Sequence, residues 1–230
     1  MRLRVLVYNV HGFRAGARRV ADVVARLDPD VLLLNETGGR WRLRRFARRL
    51  GARAAGDPWS PLRRRVKDAV LVRPPWRVVE HRLVRFEPAD RWLPRGAIVA
   101  EIARDGVGMT VVATHLGLRP GERIAHAREL VRLVQGRDVP VLLGGDLNER
   151  PDGRAVATLT RHLHDAWALG GGDGDGETFP AVDPTARIDY LFVSEDLRVE
   201  RALVPSALPE ARSASDHLPL MAELHLVPEG

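Results

Sequence analysis

Four short apolar runs in this chain finish in the same way. "LRVLVYN" closes on Asn9, "VLLLNE" on Glu36, "TVVATH" on His115, and "VPVLLGGDLN" on Asp146 and Asn148. Each run has the length and branched apolar content of a buried strand, and each delivers a polar side chain at its C-terminal end. Two later segments reverse the order: "RIDYLFVS" begins its apolar run after Asp189, and "SDHLPLMAEL" places Asp216 and His217 just ahead of one. If these two strands run antiparallel to the first four, two Asn, one Glu, three Asp and two His gather along one edge. Taken singly, each reads as a turn former, a cap or a solvated residue. Six strand ends converging on one edge are not explained by loop chemistry.

Carboxylates and amide oxygens without a thiolate form a hard-oxygen site suited to Mg²⁺ or Mn²⁺. Histidines beside such a site can hold or protonate a phosphate oxygen. Together these are the parts for hydrolysing a phosphoester by in-line attack of water. Other chemistries lack their residues. The chain has no cysteine, which removes disulfides, thiol nucleophiles and Cys-zinc sites. Its single lysine, Lys67 in "RVKDAV", lies in no phosphate-loop motif, and neither G-x-S-x-G nor H-E-x-x-H occurs. In "GGDLN" the glycine pair is expected to break the strand and let backbone approach a phosphate. Asp146 and Asn148, two apart in extended chain, are expected to face the same side.

Strands are expected at 2–8, 31–35, 68–73, 76–85, 96–103, 108–115, 139–144, 187–193, 197–204 and 218–226. Helices are expected at 15–27, 41–50, 121–135 and 153–163. Some strands arrive as neighbouring pairs and others are separated by helices, which favours a mixed α/β sandwich over a purely parallel sheet. A length of 230 residues suits a single domain over 1–230. No window is long and apolar enough for a membrane span, and the N-terminal run Val5 to Tyr8 is too short for a signal peptide, so the cytoplasm is the expected location. "GGGDGDGE" lacks the calcium-loop pattern and reads as a surface turn.

The formal charge of +6 invites a polyanion. All but one of the 36 basic Lys and Arg residues are arginine, which equally fits a GC-rich coding bias. Ten arginines fall within residues 40–65. Residues 41–50 read as an amphipathic helix with a solvated basic face, and 51–66 as an exposed loop. Arg63, Arg64 and Arg65 in that loop, with Arg95, are candidate contacts to substrate phosphate.

The segments "VYNVHG", "LLLNE", "ATHL", "GGDLNERPD", "RIDYLFVS" and "SDHLP" stand in the order found in the endonuclease/exonuclease/phosphatase (DNase I-like) superfamily, which the chain resembles from its first strand to its last. The resemblance implies a four-layer α/β sandwich, two packed mixed β-sheets flanked by helices. It implies that Asn9, Glu36 and Asp216 form the metal site, with Glu36 the principal Mg²⁺ ligand. By the same matching, Asp146 positions and deprotonates the attacking water and Asn148 helps hold that water or the phosphate. His217, oriented by Asp189, contacts the scissile phosphate, and His115 binds phosphate and assists the leaving group. Asn35 stands where the family usually has glutamine, and Asp68 where glycine or asparagine is more usual.

The expected function is therefore that of a Mg²⁺-dependent phosphodiesterase, foremost a nuclease acting on DNA or RNA. The alternative is a phosphoesterase for a phospholipid headgroup, an inositol phosphate or another small phosphorylated molecule. A non-catalytic binding module is the remote third reading, since all eight matched positions keep competent side chains. The partner is a phosphate-containing substrate, nucleic acid among the candidates, with no obligate protein partner evident.

Overall fold

A computed structural model describes residues 1–58, 64–88, 92–172 and 174–227. Two mixed six-stranded sheets pack face to face. The first contains β1 (Arg2–Asn9), β2 (Val31–Asn35), β3 (Arg53–Gly56), β4 (Ala69–Val72), β11 (Leu197–Leu203) and β12 (Leu220–Leu226), in the order β11-β12-β1-β2-β4-β3. The second contains β5 (Arg77–Arg85), β6 (Gly96–Arg104), β7 (Val107–His115), β8 (Val141–Asp146), β9 (His164–Asp165) and β10 (Asp189–Val193), in the order β5-β6-β7-β8-β10-β9.

The alternation along β1 and β2 explains the layering. Leu3, Val5, Val7, Val31 and Leu33 face inward and meet Ile98, Val111, Ala113, Leu142 and Leu191 of the other sheet. Leu6, Tyr8, Leu32 and Leu34 face outward and are covered by α1 (Ala17–Leu27), α2 (Arg40–Arg49) and α6 (Pro209–Ala214). On the far side, α3 (Pro120–Val134) and α4 (Arg154–Leu159) cover Val112, Leu143 and Tyr190. A strand buried on both faces reads as a continuous apolar run, which is why "VLLLN" shows no period of two. Each such side chain fully buried stabilises by about 1.5–3 kcal/mol. The result is the four-layer sandwich.

Strand direction settles where the polar ends go. β1 runs parallel to β2 with Asn9 opposite Asn35, and β7 parallel to β8 with His115 opposite Asp146. β10 is antiparallel to β8, setting Asp189 opposite Asp146, and β12 is antiparallel to β1. Reversed order along the sequence and reversed direction in space cancel.

Several elements depart from expectation. β8 does not break at its glycines but runs through Gly144 and Gly145 to Asp146. Residues 53–56, expected as exposed loop, form the edge strand β3 against β4, with only Ala55 fully buried. One inward apolar residue in four leaves no readable pattern. α4 stops at Leu159, and α5 (Ala166–Gly170) and α6 are too short for a helical period to register. Among the described residues, no helix is long and apolar enough to cross a membrane.

Candidate active site

The first link in the site is Asn35, the last residue of β2 and fully buried. Its Oδ1 accepts the backbone N–H of Asp146 at 2.9 Å, while its Nδ2 donates to the Thr114 carbonyl at 2.7 Å and to Asp68 Oδ1 at 2.9 Å. One amide thus ties the first sheet to the ends of β7 and β8 in the second. An Asn at this position therefore has a defined structural use. Asp68, its acidic partner, is buried, and that burial raises its carboxyl to about 7 against the opposing Asn35 hydrogen bond.

Asp146 sits at the centre. Oδ2 accepts from Asn9 Nδ2 at 3.0 Å, and Oδ1 accepts the backbone N–H of Asn148 at 2.9 Å. This tight turn, with Asn148 at φ 51°, brings the two side chains together, rather than alternation in an extended strand. Nor does the glycine pair leave open space. A Cβ on Gly144 would lie 2.8 Å from both the Tyr190 carbonyl and the Val7 side chain, and one on Gly145 would lie 1.8 Å from the Thr114 carbonyl. The glycines let neighbouring strands and the facing sheet close in beneath the site.

His217 Nδ1 donates to Asp189 Oδ2 at 2.8 Å, and the same oxygen takes the Thr178 hydroxyl at 2.6 Å. Burial alone would lower the imidazole pKa; the Asp189 carboxylate beside it, with Asp146 and Asp216, raises it to about 9. At neutral pH His217 is therefore an imidazolium with its Nε2 3.7 Å from Asp146 Oδ2. The Phe179 ring packs on it at 4.9 Å.

His115 behaves in the opposite way. Its burial, reinforced by Arg95, lowers its pKa to about 3 despite the nearby Asp146, so the ring is neutral. Asn148 Nδ2 donates to the Leu116 carbonyl at 3.1 Å and approaches His115 Nε2 at 3.0 Å. A carbonyl can only accept, which fixes the amide orientation and makes Nε2 an acceptor. The 3.3 Å separation of His115 Nε2 from Asp146 Oδ2 is therefore proximity, not an ion pair.

Glu36 and Asp216 occupy the half-exposed rim. Glu36, at φ 54°, accepts from Asn9 Nδ2 at 3.4 Å. Asp216 Oδ1 lies 3.3 Å from His11 Nδ1 and accepts the Ser215 hydroxyl, which also bonds the Asn9 carbonyl at 2.6 Å. The structure therefore gathers Asn9, Glu36, His115, Asp146, Asn148, Asp189, Asp216 and His217 at one edge. Beside Glu36 and His115 a cleft of about 370 Å³ opens, lined by Arg64, Arg65, Lys67, Asp68 and Arg95. Arg65 also donates to the Gly38 carbonyl. Arg63 lies outside the described residues.

Asn35, Thr178, Ser215 and Glu149 are the supporting residues that sequence reasoning gave no role. Glu149 accepts from Arg123 of α3 at 2.9 Å and from the Ala155 N–H at the start of α4, anchoring the loop beyond Asn148. Its place in "GGDLNERPD" was its available signal, as "LLLNE" was for Asn35 and "SDHLP" for Ser215. Thr178 carried none, since its partner Asp189 reaches it only in the fold.

The family model described as the Endonuclease/Exonuclease/phosphatase family matches residues 6–217. The chain belongs to the endonuclease/exonuclease/phosphatase family. Members of this family are divalent-metal-dependent phosphoesterase hydrolases. The chain is 32% identical over 166 residues to the uncharacterized protein YbhP of Escherichia coli (strain K12), covering 69% of this chain and 62% of that protein. It thus spans less than two thirds of that relative's length. Among solved structures, an endonuclease/exonuclease/phosphatase from Bacteroides vulgatus superposes with a TM-score of 0.83 at 18% identity, covering 99% of this chain and 100% of that one. The Bacteroides thetaiotaomicron mannosyl-6-phosphatase Bt3783 gives 0.79 at 21%, covering 97% and 100%. A humanized D. rerio TDP2 gives 0.81 at 18%, covering 97% and 99%. At these identities the structures share the fold.

The donor chemistry fits the family's metal. Glu36 and Asp216 are rim carboxylates, with Asn9 beside them, and the chain has no cysteine thiolate. Such an oxygen-only set suits a hard divalent cation. Asp146, Asp189 and His217 also bring ligand-capable atoms within 4.8 Å of one another. Their hydrogen bonds favour another use, because Asp189 already holds the imidazole N–H and a hydroxyl.

Proposed function

We propose that this family member is a Mg²⁺-dependent phosphodiesterase that cleaves by in-line attack of water, with nucleic acid as its substrate. The observation that carries the reading is Asp146, a buried carboxylate held by Asn9 and Asn148 and facing the His217 imidazolium at 3.7 Å. A base and a cationic hydrogen-bond donor side by side can serve attacking water and phosphate oxygen together.

In this reading Asp146 accepts the proton of the attacking water, and Asn148 helps to fix the loop that presents it. His217 donates from Nε2 to a non-bridging phosphate oxygen, and Asp189 holds its charge and tautomer. Glu36 and Asp216, with Asn9 beside them, would hold Mg²⁺, which when bound supplies Lewis-acid polarisation of the phosphate. Arg64, Arg65, Lys67 and Arg95 give the adjoining cleft the charge that a phosphate backbone needs.

One observation favours the second reading, a phosphoesterase for a small phosphorylated molecule. Arg40, Arg42 and Arg65 donate to the carbonyls of Asp57, Gly12 and Gly38, so part of the basic segment is engaged within the protein. The deciding experiment is a Mg²⁺-supplemented panel of plasmid DNA, abasic duplex, RNA, a phosphocholine lipid and inositol phosphates, with EDTA as control. Cleavage of DNA or RNA that EDTA abolishes is expected. Turnover confined to lipid or inositol phosphates would replace the nucleic-acid assignment. Glu36→Gln is expected to raise the Mg²⁺ concentration needed for half-maximal rate; an unaltered requirement would remove it as a ligand.

A further inference from the structure

The cleft beside Glu36 and His115 combines charged and apolar side chains. The more buried part of its lining holds Arg65, Asp68, Pro94 and Arg95, and its exposed lip carries Arg64, Lys67, Trp92, Leu93 and Leu118. Eight large apolar side chains are exposed among the described residues, and three of them, Trp92 at 63%, Leu93 at 48% and Leu118 at 62%, share this lip. Single exposed apolar residues are ordinary, whereas a contiguous group marks a contact surface. The Arg64 guanidinium lies 4.3 Å from the Trp92 ring centroid, a cation–π contact that stiffens the indole where it borders the cleft.

We propose that this cleft is a nucleotide subsite, in which one unstacked base lies against Trp92 while its phosphates lie over Arg65, Lys67 and Arg95. The inference rests on the phosphodiesterase reading and names the form of substrate that reading leaves open. A flat aromatic surface beside cationic side chains is the arrangement that binds single-stranded nucleic acid, since every base has a π-face and every linkage a charge. A volume of about 370 Å³ lies at the small end for ligand clefts and suits one nucleotide unit rather than a duplex. Bases in a duplex are stacked on one another and cannot reach the indole without being extruded. The enzyme should therefore prefer single strands or frayed ends.

The test compares kcat and KM for a single-stranded thymidine oligomer, an abasic oligomer of the same length and a duplex, using the full chain with Mg²⁺. The wild type is expected to favour the thymidine oligomer over both others. Loss of one stacking contact is worth about 5- to 150-fold. Trp92→Ala should therefore reduce the thymidine-to-abasic ratio of kcat/KM by about that factor, chiefly through KM, and Trp92→Phe should restore most of it. Equal turnover of both single strands, with a ratio that Trp92→Ala leaves unmoved, overturns the subsite while the phosphodiesterase reading stands. A preference for duplex does the same. Absence of cleavage on every diester overturns both.

Discussion

At the scale of single residues, two histidines of one site are driven to opposite charge states by their neighbours. His217 faces Asp189 and stays protonated to about pH 9, while His115 is buried beside an amide and stays neutral down to about pH 3. Because the folded pKa of His217 is raised above its ordinary 6.5, the stability it contributes is complete below pH 6.5 and is lost as pH rises to about 9. The difference in unfolding free energy between wild type and His217→Gln should shrink across that interval, by on the order of 3 kcal/mol. Denaturant titrations at stepped pH measure it, and a flat difference would contradict the imidazolium. On the acid side two groups oppose each other: His115 loses stability as pH falls below 6.5, and Asp68, raised to about 7, gains it. Asp146→Asn keeps the size of the carboxylate but not its basicity, and it gives up one of the two accepted hydrogen bonds, from the Asn9 amide or from the Asn148 N–H. It should lower kcat by about 10²- to 10⁴-fold and cost about 1–3 kcal/mol of stability through the lost hydrogen bond; a folded variant as active as wild type would remove Asp146 as the base.

At the scale of elements, β8 carries the most constrained backbone in the site. Gly145 has φ 149° and no room for a Cβ against the Thr114 carbonyl of the adjacent strand. Gly145→Ala should destabilise the fold by about 1–3 kcal/mol or more, since overpacking and backbone strain add. Gly172→Ala, where a Cβ would meet nothing within 4 Å, is the matched control and should be near neutral. Chemical denaturation of the pair measures the difference; equal midpoints would refute the packing account. Asn35 acts at the same scale, since its three hydrogen bonds join strand ends from both sheets. The register of β8 against β7 and β10 would place Asp146 in any case; Asn35 ties that place to Glu36, the next residue in the chain.

At the scale of the molecule, the charge of +6 and the acid-rich rim should produce two separable ionic responses. Mg²⁺ bound only by the folded state raises stability by about 2.7 kcal/mol at a hundredfold excess over its Kd. Thermal melts should therefore shift upward with Mg²⁺ in the wild type and less in Glu36→Gln; equal shifts would place the cation elsewhere. Nucleic-acid binding should instead weaken steeply with monovalent salt, because neutralised phosphates release counterions. Salt-insensitive binding of oligonucleotides would argue for a small phosphorylated substrate.

The gathering of these side chains at one edge was legible from the sequence because side-chain identity and strand polarity are both local. Asn9, Glu36, His115 and Asp146 stand at or next to the ends of unmistakable apolar runs, and Asp189, Asp216 and His217 ahead of others. Layering followed from the same pattern, since runs buried on both faces require material on both sides. What the chain could not announce is anything set by contacts between distant segments. β3 owes its existence to pairing with β4, and the glycine pair serves the closing-in of the neighbouring strands and the facing sheet. Asn35 found its use only when β2 met β7 and β8. The opposite charge states of His115 and His217 were likewise decided in three dimensions, because a pKa depends on burial and neighbouring charge, and both are properties of the fold rather than of the residue.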